Sequence, residues 1–189
     1  MKPYFIIFCL ALNFSSLPAA WATSTLPISL EQLSTRAALI LYGKVISNEV
    51  RKDEQSGRIA TFTEFKVIDL IKGTAGNTHT IKQIGGHLQD TGTIIRIPGV
   101  PEYITGNDYV VFLPEKSDHG FSSPLGLQQG SFDVVTVNGE QVVDNGHQLV
   151  VNPVHSRKSV QVPLAVNTSK PSQTRLDDFI NTVRTYNTP

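Results

Sequence analysis

The chain has 189 residues, with 16 basic and 16 acidic side chains, 40% hydrophobic residues and one cysteine. With no excess of positive charge and no dense Lys/Arg cluster, it has nothing to draw a phosphate backbone or an anionic membrane surface. One cysteine excludes a disulfide framework.

The N-terminus reads as a secretory leader over residues 1–22. Lys2 supplies the positive end, Tyr4 to Leu12 the apolar stretch, and Ala20 and Ala22 the small residues of a cleavage site between Ala22 and Thr23. The apolar run is too short to cross roughly 30 Å of hydrocarbon, and Asn13, Ser15 and Ser16 interrupt it. No other segment approaches a membrane-spanning length. Cys9 leaves with the leader, and the bulky Phe8 before it argues against lipidation. The expected mature chain, Thr23–Pro189, has 167 residues and a net charge of −1. That is one domain with a real core, exported to the periplasm or secreted.

Ser29 and Gln32 form a capping-box signal before Leu30, Leu33 and Ala37, predicting a short helix over Leu30–Thr35. Ala38–Ile46 reads as a first strand, with Gly43 marking a bulge or bend. The polar stretch 51–58 reads as a solvated hairpin loop. Ile59–Ile71 is a long second strand, whose parity breaks near Ile68–Asp69 and so predicts a bulge there. Thr78–Ile84 is the third strand, ended by Gly85-Gly86, and Thr93–Ile97 the fourth.

Pro98, Gly99, Pro101 and Gly106 then forbid a tight hairpin and force a wide path. Gly106-Asn107 turns the chain into Tyr109–Leu113, an unbroken apolar run that Pro114 ends. A strand this apolar must be covered on both faces, which points to a sheet curling back on itself. Past a polar loop at 116–123, Asn138-Gly139 is a type I′ signal pairing 131–137 with 140–143. Gln148–Val151 reads as a further strand and Ser156–Val166 as holding an edge strand, Pro163 weakening the second, and Asn167–Ser172 resembles a linker. Thr174 is placed to cap a final helix. Asp177 and Asp178 favour the helix dipole, and Leu176, Phe179, Ile180, Val183 and Tyr186 make one docking face.

The expected organisation is therefore a mainly β chain: a small, partly closed antiparallel β-barrel domain at 29–137, a hairpin extension and linker at 138–171, and a helix at 172–187 docking on the barrel.

Catalytic motifs are wanting. His79, His87, His119, His147 and His155 show no metal-ligand spacing. No G-x-S-x-G elbow occurs; Ser131 reads as a strand start with Phe132 turned inward, and Asp118-His119 as adjacent loop residues whose side chains diverge. Asp53/Glu54, Glu64/Asp69 and Asp177/Asp178 do not read as carboxylates facing across a cleft. No catalytic residue, metal ligand or cofactor site is assigned. Gly85-Gly86-His87 is the candidate binding loop. Its glycines would allow close backbone approach to a ligand, a plain tight turn being the commoner use.

The succession Ala37–Val45, Thr63–Val67 with Leu70-Ile71-Lys72-Gly73, and Gly106–Leu113 resembles netrin-like and tissue-inhibitor-of-metalloproteinase-like OB barrels. The stretch from Pro98-Gly99-Val100-Pro101 through Leu113, followed by Leu127–Val134, is also similar to an uncharacterised group of exported bacterial proteins. The resemblance covers about residues 29–135. It implies an OB-like barrel and a binding role. Inhibitors of that type chelate a protease zinc through an N-terminal cysteine, and the expected mature chain has none. The function expected is an exported, non-catalytic binding or interaction domain, its expected partner another exported protein. An inhibitor or accessory protein of a secreted protease, and a small hydrolase with dispersed histidines and carboxylates, are the alternatives.

Overall fold

The computed structural model describes residues 26–146 and 174–188. The leader with its Ala22–Thr23 junction, His147, His155, and the strands and linker expected between 148 and 172 lie outside the described residues.

Helix α1 spans Leu30–Arg36 and opens on the expected capping box. The Gln32 N–H donates to Ser29 Oγ and the Ser29 N–H to Gln32 Oε1, so two orphan donors are satisfied reciprocally. Strands β1 (Leu39–Lys52) and β2 (Ile59–Lys72) form a long antiparallel pair. Ile46 on β1 and Ile68 on β2 have no cross-strand partner, and the second of these is the bulge expected from the parity break. At Gly43 a Cβ would stand 2.8 Å from the Lys66 carbonyl oxygen, so the close approach of β2 requires glycine there.

Strand β3 (Thr78–Ile84) lies outside β2, and β6 (Asp108–Leu113) on the other side of β1. Strands β7 (Ser131–Val137), β8 (Glu140–Asp144) and β9 (Thr174–Arg175) follow, giving the order β3-β2-β1-β6-β7-β8-β9. All pairs are antiparallel. The sheet is not closed, since β3 and β9 stand at its two ends. Asn138 and Gly139 both take positive φ, 52° and 83°, as a type I′ hairpin requires.

Three local expectations are corrected. Thr93–Ile97 is not a strand of the main sheet: β5 (Thr93–Ile95) pairs only with β4 (Gly86–Leu88) in a separate hairpin. The cause is at Gly85 and Gly86, whose φ values of 97° and 134° swing the chain off the line of β3. Thr174 does not cap helix α2 (Leu176–Thr185). Its backbone is engaged in β9 opposite Val143, so Arg175 holds the cap position without a side-chain hydrogen bond. The loop after β1 is not wholly solvated, because Asp53 is buried.

The core has two sides because β1 and β6 are covered on both faces. On one, Ile40, Tyr42, Val110, Phe112, Phe132 and Val143 pack beneath the apolar stripes of α1 and α2. On the other, Leu39, Leu41, Val45, Tyr109, Val111 and Leu113 meet Phe65 of β2, Ile81 of β3 and Tyr103. Every residue of Tyr109–Leu113 is buried, as its composition demanded. The α2 face docks through Leu176, Phe179, Ile180 and Val183, and the Arg184 guanidinium grips both carboxylate oxygens of Asp69 at 2.7 and 2.9 Å.

Candidate functional site

The wide path between β5 and β6 is a built wall. Pro98-Gly99 turns the chain, with Gly99 at φ 80° and the Val100 N–H donating to the Ile97 carbonyl, the arrangement in which proline and then glycine are favoured. Gln83 Nε2 donates to the Pro101 carbonyl, Asn48 Nδ2 to the Tyr103 carbonyl at 2.8 Å, and the Gly106 N–H to the Val45 carbonyl. Two strands, β1 and β3, thus hold this segment. Tyr103 fills the space beneath it, edge-on to Phe65 and Tyr109 with ring centroids 5.1 and 4.9 Å away. Burial pushes its phenol well above the ordinary tyrosine range.

Between this wall and the β4–β5 hairpin lies a cleft of about 300 Å³. Val50, Thr61, Gln83 and Ile84 line it from β1, β2 and β3; Gly85, Gly86, His87, Ile94, Ile95, Arg96 and Ile97 line it from the hairpin side; Val100 to Tyr103 line it from the wall. Ile94, Ile95 and Ile97 remain 57%, 37% and 41% exposed. A run of isoleucines left open to water around a concavity is the feature that marks this place.

The candidate loop Gly85-Gly86-His87 therefore lies in the cleft, but its glycines serve the protein's own packing. A Cβ on Gly85 would stand 2.5 Å from the Ile95 carbonyl oxygen, and one on Gly86 2.6 Å from both Thr61 Oγ1 and Val50 Cγ1. Thr61 Oγ1 donates to the Gly85 carbonyl at 2.7 Å. Close approach is made to the hairpin and to β1–β2, while His87 is exposed at the mouth.

The remaining sequence candidates are dispersed. Lys82, 8% exposed, sets its ammonium 2.7 Å from Asp53 Oδ1 and donates to the His119 carbonyl at 2.5 Å, over the Phe121 ring at 4.6 Å. The hydrogen bonds from Lys82 and Ser56 hold the Asp53 carboxyl down at about 2. This pair ties the β1–β2 turn and β3 to the loop after β6, where the Ser122 N–H also donates to the Lys82 carbonyl. His119 contributes only its backbone there. His79 lies in a different hollow, beside Lys116, where burial and that charge lower its pKa. Asp69 is taken by Arg184. Ser131 begins β7, with Phe132 fully buried behind it. Among the described residues no three His, Cys, Asp or Glu side chains come together as a metal site, and no helix is long and apolar enough to cross a membrane.

Sequence reasoning missed Ile94, Ile95, Ile97 and Arg96 as site residues, having placed them in the main sheet. The available signal was Ile94-Ile95, two adjacent large residues in a segment too short to bury both. Neither a family model nor a curated protein matches the chain.

Proposed function

We propose that this protein is an exported binding module, and that its binding surface is the cleft between the β4–β5 hairpin and the Pro98–Gly106 wall. One observation carries the reading: three isoleucines stand exposed around a preformed concavity whose walls are pinned to the sheet. At about 300 Å³ the space is at the lower end for small-molecule sites. It suits one or two aliphatic side chains presented by a polypeptide. The resemblance to netrin-like barrels supports a binding role, and the leader-like N-terminus supports export.

The test is fluorescence anisotropy with a set of labelled, unstructured heptapeptides containing Ile-Val pairs, titrated with the mature protein. Binding should fall at least about tenfold in the Ile94→Ser/Ile97→Ser variant, consistent with loss of aliphatic burial. Equal binding by wild type and variant, or none by either, refutes the assignment. For export, protein recovered from the cell envelope should have an intact mass beginning at Thr23; retention of residues 1–22 refutes cleavage.

A further inference from the structure

Resting on that reading, the floor of the cleft narrows what can enter it. Gln83 reaches the cleft from β3 and is only 3% exposed. Its Nε2 donates to the Pro101 carbonyl. A carbonyl only accepts, so this bond fixes which way the amide lies: turned over, it would set two acceptors together. No donor among the described residues reaches Gln83 Oε1, yet that oxygen is not sealed from solvent. On so buried a side chain lining the cleft, the opening to it is the cleft itself. A nearly buried amide oxygen without a donor is costly to leave in that state.

The neighbouring polar side chains do not supply that donor. Thr61, opposite Gln83 in the β2–β3 register, gives its hydroxyl proton to the Gly85 carbonyl. Asn48 gives Nδ2 to the Tyr103 carbonyl. All three side chains line the cleft with donors committed to main-chain carbonyls, so the floor accepts and an occupant must donate. The buried residues around it, Gln83, Gly85, Pro101 and Tyr103, bear no charge. No carboxylate among them would offset a buried ammonium or guanidinium. The donor that fits is a neutral one, and the exposed isoleucines call for an apolar body on the group that carries it.

We infer that the occupant is a polypeptide segment with an aliphatic residue against Ile94, Ile95 and Ile97 and a threonine next to it, whose hydroxyl donates to Gln83 Oε1. Threonine has the shape of valine with one methyl exchanged for a hydroxyl. It keeps a methyl for the isoleucines while offering a proton. A cleft built this way tells the two residues apart, because valine leaves the buried acceptor unpaired.

The experiment titrates the mature protein into labelled heptapeptides carrying Ile-Thr, Thr-Ile, Ile-Val or Val-Ile in one otherwise fixed sequence, read by fluorescence anisotropy. In one of the two orders the threonine peptide should bind about three- to tenfold more tightly than its valine twin, the net worth of one hydrogen bond. Gln83→Met removes the acceptor at nearly constant length and should reverse the preference in favour of valine. Gln83→Glu keeps an acceptor oxygen but loses the bond to Pro101, and should keep the preference for threonine; it separates the acceptor from the pinning of the wall. In the wild type, methylating the threonine oxygen removes the donor and should bring binding down to the valine level or below, which decides the matter should a variant fail to fold. Valine peptides that bind as well as their threonine twins in both orders overturn this inference and leave the binding module standing. So does a threonine preference that survives Gln83→Met or is lost in Gln83→Glu. Absence of binding by all peptides removes both.

Discussion

Replacing Phe179 by alanine tests whether α2 is part of the folded unit. The side chain is 1% exposed. Its ring lies 4.8 Å from that of Phe132 and 6.2 Å from that of Phe112, centroid to centroid, both tilted or edge-on. Truncation removes nearly all of a buried aromatic side chain, which costs about 3–5 kcal/mol when the surroundings close only partly around the space. The two ring contacts fall within that figure. Little relaxation is available, because Phe132 and Phe112 are held by β7 and β6 and the helix is pinned at its far end by Arg184 on Asp69. A helix of ten residues does not persist alone, so the loss should be felt by the whole domain. Urea denaturation followed by circular dichroism should give a single transition at lower midpoint, and the melting temperature should fall by roughly 6–20 °C. Phe179→Leu, which keeps most of the apolar volume, should lose less than half as much. A decrease under about 1 kcal/mol for the alanine variant would refute the docking.

Two further substitutions probe the other long-range ties. Asp53→Asn leaves the Lys82 ammonium buried without its counter-charge, so the urea midpoint at pH 7 should drop. Because the Asp53 pKa lies at about 2 in the folded chain, below its ordinary value near 3.9, its contribution is complete above about pH 4 and is lost as pH falls through 2. The wild type should therefore lose stability more steeply than the variant between those limits; parallel curves would show that the pair does not act. Gly86→Ala should lower stability by about 2 kcal/mol or more, through strain at a φ reserved for glycine and displacement of Thr61. An unchanged melt would mean that the hairpin is not seated on β1 and β2.

Where local chemistry determines structure, the sequence was readable. The Ser29–Gln32 box, the bounds of β3, the Asn138-Gly139 turn and the apolar stripe of α2 each follow from neighbouring residues alone. So does the double burial of Tyr109–Leu113, since five consecutive apolar residues leave no polar face. Thr93–Ile97 misled because its β-rich composition does not say which strand it will pair with, and two glycines upstream decided that. Thr174 misled because a cap and a strand end compete for the same backbone, and β8 was near enough to win it. Asp53 and Lys82 are separated by a whole strand and joined only by the fold. The Gly85-Gly86-His87 loop stood out for its glycines, yet the cleft it lines, with the wall and the isoleucines, depends on how distant segments meet.

Between β1 and β6, hydropathy alone cannot enforce alignment. With oil on either side, sliding one strand by a single residue would expose nothing new to water. Bulk and charge must supply the missing discrimination. Tyr109 lies opposite Gly43, the position without a side chain, and Lys44 meets Asp108 at 2.9 Å where the ladder ends. A displaced strand would force the tyrosine against a neighbour with bulk of its own and strand the aspartate away from its lysine. Steric fit at one rung and an ionic latch at the next thus act as the ruler for the centre of the sheet.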